Sequence, residues 1–251
     1  MDWTGDGILL TGRPQGENAA LIEVLTAGHG IRRGVVRGGS GRRLAPVLQP
    51  GNELRLNWRA RLEDQLGHFT VEPLRSRAGA IMADAERLTA LNAACALTVF
   101  ALPDHEPHPR LHAVTGVLFD RLAAGDPWLG VYLLWERVLL DETGYGLDLS
   151  VCAVSGEVDG LAYVSPRSGR AVSAEAAGRW ADRLLPLPRL LLDATSPESR
   201  TQMAEGLRTT GHFLHEVLAP GLGNRPLPEA RARLVARFAG AGDLPKGRLQ
   251  D

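Results

Sequence analysis

Glu53-Leu54-Arg55-Leu56-Asn57-Trp58-Arg59-Ala60-Arg61-Leu62 alternates polar and apolar residues at every step. A period of two sends successive side chains to opposite faces of a strand, so Leu54, Leu56, Trp58, Ala60 and Leu62 should face a core while Arg55, Arg59 and Arg61 face solvent. Upstream, Ile31-Arg32-Arg33-Gly34-Val35-Val36-Arg37 runs into Gly38-Gly39-Ser40-Gly41-Arg42-Arg43, whose glycines permit close backbone approach to a ligand while its arginines reach outward. Of the chain's 28 basic and 29 acidic residues, the stretch from Gly30 to Leu62 holds eight arginines and one acid, Glu53. Positive charge gathered into one β-rich region of a near-neutral chain is the footprint of a polyanion binder. The competing explanation is a solvated strand face in a protein that uses arginine nearly everywhere, Lys246 being its only lysine. The scarcity of acids among these arginines argues against it.

Working outward, the 251 residues suffice for one large or two modest domains, and a hydrophobic content of 44% supports a buried core. Met1-Asp2-Trp3-Thr4-Gly5-Asp6 has no apolar run with a cleavage site, and no window approaches 18 uncharged apolar residues, so a cytoplasmic protein without a membrane span is expected. Cys95 lies in an apolar helical pattern and Cys152 among turns, which disfavours a disulfide and fits a reducing compartment.

The first 75 residues read as β structure. Ile8-Leu9-Leu10 and Ala20 to Leu25 flank the turn formers Arg13 to Asn18; Ile31 to Arg37, the alternating strand and His68 to Leu74 follow. Five short strands without an intervening helix suggest a small barrel, and the five-stranded OB-fold binds single-stranded nucleic acid on a strand face and its loops. Pro46 and Pro50 leave no room for a helix between the third and fourth strands.

After Leu74 the period becomes helical. Ile81 to Leu102 is one predicted helix, ended by Pro103, and Leu111 to Ala124 a second, closed by Gly125. Asp126-Pro127 should cap a third, running through Glu142 with the core stripe Trp128, Val131, Leu134, Trp135, Val138 and Leu139. Turns fill Gly144 to Gly169; Ala174 to Leu185 and Pro186-Leu187-Pro188 come next. Ser196-Pro197 should cap a helix to about Leu218, Pro228 to Phe238 forms the last helix, and a loose tail runs from Gly240 to Asp251.

Enzyme chemistry lacks a site. His105-Glu106-Pro107-His108 with His112 offers imidazole and carboxylate donors for a metal, but its two prolines at a helix start read as a polar loop. There is no phosphate cradle and no nucleophile elbow, and Ser165 and Ser168 have no assigned partners. The acid pairs Glu63-Asp64 and Asp141-Glu142 fall at solvated element ends. Cys152 and Ser155, then Ser173 and Ala176, stand at the spacing of a four-cysteine zinc ribbon of which one ligand survives.

Together, Trp3-Thr4-Gly5-Asp6-Gly7-Ile8-Leu9-Leu10, Val36-Arg37-Gly38-Gly39, Leu48-Gln49-Pro50-Gly51-Asn52 and the arginine strand resemble the OB domain of the RecO family of recombination mediators. Trp135-Glu136, Gly144-Tyr145-Gly146-Leu147-Asp148-Leu149, Cys152, Ala162-Tyr163-Val164-Ser165-Pro166 and Arg225-Pro226-Leu227-Pro228 resemble its helical domain. The resemblance implies an α+β protein: an OB barrel over residues 1–79, then an all-helical domain over 80–251 with a degenerate zinc-ribbon-like segment at 144–176. It implies a non-enzymatic, nucleoid-associated DNA repair mediator that binds single- and double-stranded DNA and anneals strands. Its partners would be RecR and the acidic tail of single-stranded DNA-binding protein, and it would help load RecA. Zinc is not carried over, because Ser155, Ser173 and Ala176 replace three ligands; no cofactor is expected.

The expected DNA-binding residues are Arg32, Arg33, Arg37, Arg42, Arg43, Arg55, Arg59 and Arg61, gripping phosphates without reading sequence. Trp58 faces the core at this register and cannot stack on bases. Arg110, Arg121 and Arg137 are candidates for the acidic tail peptide. The rival readings are a metal-dependent nuclease or hydrolase using His105 to His112, and a protein-interaction adaptor without direct DNA binding.

Overall fold

Residues 1–62 and 66–240 of the computed structural model are described; the acid pair Glu63-Asp64 and the expected tail from 241 onward lie outside them. Strands β1 (Asp2–Gln15), β2 (Ala19–Thr26), β3 (Gly30–Arg37), β4 (Glu53–Arg59) and β5 (Gly67–Arg75) close into a barrel of order β1-β2-β3-β5-β4. The closing seam is a short parallel pairing of Gly34–Val36 with Gly67–Phe69. It is made by two glycines, since a Cβ on Gly67 would lie 2.1 Å from the Trp58 indole nitrogen and one on Gly34 would lie 2.6 Å from the Phe69 ring.

Strand β4 has the expected register. Leu54, Leu56 and Trp58 are buried with Leu9, Ile22, Val24, Val36 and Phe69, while Arg55 and Arg59 point outward. Leu62, expected on the core face, is 62% exposed. The alternation outruns the ladder: β4 ends at Arg59, which pairs with Asp2, and Leu62 lies beyond the paired residues. In β1, Leu9 points into the barrel while Ile8 and Leu10 pack among the helices, which explains three apolar residues in succession.

The segment expected as one helix from Ile81 is two, α1 (Ala78–Met82) and α2 (Ala85–Ala101). The break belongs to Asp84, whose carboxylate accepts from the backbone N–H groups of Glu86 and Arg87 at 2.9 and 3.0 Å. Helix α3 (Pro109–Ala124) ends on Gly125 at φ 77°, as its sequence requires. Helix α4 (Leu129–Glu142) starts later than Asp126-Pro127 predicts, because the carboxylate of Glu198, distant in sequence, accepts from Leu129 N–H. A tertiary cap replaces the local one.

Where turns were expected, β6 (Leu161–Val164), β7 (Ala171–Ser173) and β8 (Leu185–Pro186) make a small sheet, so the second region is not all helical. Strands of four residues or fewer are too short for alternation to register. Between β7 and β8 lie α5 (Ala174–Ala177) and a 3-10 turn, Gly178–Arg183; α6 (Arg189–Leu192) follows. Helix α7 (Arg200–Phe213) is capped by Ser199 rather than Ser196 and runs through a π turn, Leu214–Leu218, into α8 (Ala219–Gly221). Helix α9 (Glu229–Phe238) completes the bundle.

Two polar networks hold this arrangement. Arg77, 4% exposed at its side chain, bonds Glu53 at 2.9 Å, Asp120 at 2.6 Å and the Gly51 carbonyl at 3.3 Å, tying β4 to α1 and α3. Deep in the bundle, Arg231 of α9 donates to both carboxylate oxygens of Glu136 of α4, at 2.9 and 3.0 Å, and to the Leu207 carbonyl. Thr210 adds a hydroxyl to the same carboxylate, so the buried charges are paired and further hydrogen-bonded.

Candidate nucleic-acid interface

The end of β3, the β3–β4 loop and the end of β4 converge beside the short closing seam. They enclose a cleft of about 500 Å³, lined by Arg37, Leu44, Arg59, His68 and Phe69 among others. The loop is fastened: Ser40 donates to the Ala19 carbonyl at 2.6 Å, the Asn52 amide donates to Val47 O at 3.0 Å, and Leu44 and Val47 pack on the barrel core. Its backbone is held while Arg42 and Arg43 stay exposed.

The eight expected arginines divide into three groups. Arg37, Arg42, Arg43, Arg59 and Arg61 are exposed, and among the described residues no carboxylate pairs with them. Arg33 is exposed but bonds Glu23 at 2.5 Å and Asp104 at 2.7 Å, and Arg55 bonds Asp6 at 2.5 Å, so both carry a local counter-charge. Arg32 does not face solvent at all. It is 3% exposed, donates to the His29 carbonyl at 3.1 Å and lies 5.4 Å from the Trp58 ring centroid. The start of β3 is covered on both sides, by the barrel interior and by helices that also bury Ile31. No alternation could reveal that.

Arg37 and Arg59 line the cleft, Arg42 and Arg43 stand exposed on the β3–β4 loop, and Arg61 is exposed just past the end of β4. Guanidinium groups that no carboxylate pairs with among the described residues make a surface that attracts phosphodiesters without base-specific geometry. Sequence reading missed His68, an exposed ring that is the cross-strand partner of Arg59. Strand pairing, rather than residue type, identifies it.

The other candidate constellations disperse. His108 Nδ1 lies 2.9 Å from Glu142, whereas His112 sits in the seam between barrel and helices, where burial lowers its pKa. Among the described residues no group of three or more His, Cys, Asp or Glu could hold a metal ion. Arg110 pairs with Asp141 at 3.1 Å; Arg137 donates to the Leu191 carbonyl at 2.6 Å, and burial lowers its pKa; Arg121 is exposed in the last turn of α3. No described helix is long and apolar enough to cross a membrane.

Cys152, Ser155, Ser173 and Ala176 do meet. The Cys152 sulfur accepts from Ser155 N–H at 3.4 Å and Ser173 N–H at 3.3 Å, and Ser173 Oγ accepts from Ala176 N–H at 3.2 Å. The thiol is 1% exposed, yet hydrogen bonds from Ser155 first and Ser173 second outweigh its desolvation and lower its pKa to about 6. One thiolate, two hydroxyls and a methyl do not fit zinc, which requires four donors.

Two family models match the chain, Recombination protein O N terminal over residues 1–77 and Recombination protein O C terminal over 82–226. DNA repair protein RecO of Ruegeria sp. strain TM1040 is 54% identical over 239 residues, 95% of this chain and 99% of that one. DNA repair protein RecO of Paracoccus denitrificans is 50% identical over 238 residues, 95% of this chain and 96% of its own. The barrel, the helical region and these matches over nearly the whole length together place the chain in the RecO family of DNA repair proteins.

Proposed function

We propose that the chain is a non-enzymatic mediator of recombinational DNA repair whose barrel grips the backbone of single- and double-stranded DNA. The observation that carries this reading is the set of exposed arginines that no carboxylate pairs with among the described residues: Arg37 and Arg59 lining one cleft, Arg42 and Arg43 on the β3–β4 loop, and Arg61 past the end of β4. Contacts to phosphate alone hold any sequence, as a protein that brings complementary strands together requires. Family membership supports the further roles of annealing and of helping RecR load RecA on DNA coated by single-stranded DNA-binding protein. Arg121 is the exposed cation available to that protein's acidic tail.

The test is an anisotropy titration of labelled single- and double-stranded DNA at several salt concentrations. Affinity should fall steeply with salt, each phosphate contact to a single strand contributing about −0.7 to the logarithmic slope. Absence of binding at low salt would leave the adaptor reading, and cleavage of the labelled DNA with added divalent metal would favour the nuclease reading. Calorimetry with a tail peptide at low salt, comparing wild type with Arg121→Ala, tests the partner assignment.

A further inference from the structure

We propose a second contact for single-stranded DNA, a base-stacking site on the 3-10 turn Gly178–Arg183, carried by Trp180 with Arg179 and Arg183. The inference rests on the DNA-binding reading above and deepens it. Among the described residues every other Phe, Tyr and Trp side chain is buried or half-buried, including Trp58 at 1%, Trp128 at 7% and Trp135 at 0%, whereas Trp180 is 48% exposed. The turn that carries it has no buried residue. Ala181 and Leu184 anchor it by packing on the small core around Cys152, Val172 and Ala177. Trp180 is therefore held at the surface by its neighbours while contributing nothing to that core.

Its immediate surroundings favour a nucleic acid over an apolar protein surface. The Arg179 and Arg183 guanidinium carbons lie 5.0 and 4.8 Å from the indole centroid, and among the described residues neither arginine pairs with a carboxylate. An exposed indole with two guanidinium groups close to its ring offers a π surface for an unpaired base and N–H donors for the neighbouring phosphates. A double helix hides its base faces and can use only the charges. A cleft of about 610 Å³ in the same subdomain, lined by Glu157, Asp159 and Glu175, would by contrast repel a phosphodiester.

The experiment uses the full chain and labelled oligothymidylate, with a duplex as control, across a salt series. Replacing Trp180 by Ala should weaken single-strand binding by roughly 5- to 150-fold, the effect of losing one stacked base, with the salt slope unchanged and duplex binding unaltered. Trp180→Phe should keep most of the affinity. The fluorescence difference between wild type and Trp180→Phe should be quenched on saturation with single strand. Arg179→Gln with Arg183→Gln should flatten the salt slope by about 1.4. Melting curves on each variant verify folding. If Trp180→Ala binds single strands as wild type does while the variant lacking the five barrel arginines does not, this inference falls and the barrel reading stands. If wild type itself binds no DNA, both fall.

Discussion

Barrel and helical region treat the same two residue types in opposite ways. In the barrel, Trp58 is sealed inside and five arginines stand in water; in the helical region, Arg231 is 6% exposed and Trp180 stands out at 48%. Residue type therefore says little about role until the neighbours are known. Arg231 is inside because Glu136, Thr210 and the Leu207 carbonyl meet its donors, whereas Arg37 and Arg59 flank an open cleft with no carboxylate among the described residues to answer them.

Removing each kind of arginine in turn gives the sharpest test of that contrast. Arg231→Ala leaves the Glu136 carboxylate buried and uncompensated, and should cost about 3 to 5 kcal/mol by denaturant unfolding. Replacing Glu136 and Arg231 together by apolar residues of similar volume should recover most of it. If Arg231→Ala alone were neutral, the buried pair would not be structural. In the barrel, Leu56→Ala on the core face of β4 should cost roughly 2 to 5 kcal/mol, with DNA binding lost only through unfolding.

The exposed arginines should behave in reverse. Replacing Arg37, Arg42, Arg43, Arg59 and Arg61 by Ala should change stability by no more than about 0.5 kcal/mol each. The same variant should flatten the single-strand salt slope by about 3.5, weakening all sequences alike. Arg33→Ala and Arg55→Ala, whose charges Glu23, Asp104 and Asp6 already answer, should change the slope far less. Equal slopes for the two sets would erase the distinction between paired and free arginines.

The smallest effect concerns Cys152. Its pKa in the folded chain, about 6, lies below the ordinary 9.0, so its stabilising contribution is full above pH 9 and disappears as the pH falls through 6. The stability difference between wild type and Cys152→Ala should shrink between pH 9 and 5. A difference that grew as the pH fell would reverse the assignment.

Much of this was legible from residue order alone. The period of two in Glu53–Arg59 gave strand, register and the inward Trp58 together, because one ladder buries one face. Arg32 was misplaced because its cover comes from the barrel interior and from helices far along the chain. The late start of α4 had the same origin, since Glu198 supplies the cap. The three short strands around Val164 carry no pattern that distinguishes them from turns. Within the candidate site, charge density indicated the region, but which arginines lack a carboxylate depended on Asp6, Glu23 and Asp104, brought near by pairing rather than by sequence.

The pairing of Glu136 with Arg231 also sets a schedule for the chain as it is made. Synthesis runs from the N-terminus, so all five barrel strands are out once Arg75 has emerged, and they can pair early. The helical core must wait for Arg231, 95 residues after the acid it answers. Until the helices arrive, the outer apolar residues Ile8, Leu10, Leu25 and Ile31 have no cover. A ribosome stalled before α2 and α3 emerge should therefore display a folded barrel with an adhesive flank, a natural substrate for a nascent-chain chaperone, and release from that chaperone should follow the emergence and packing of those helices.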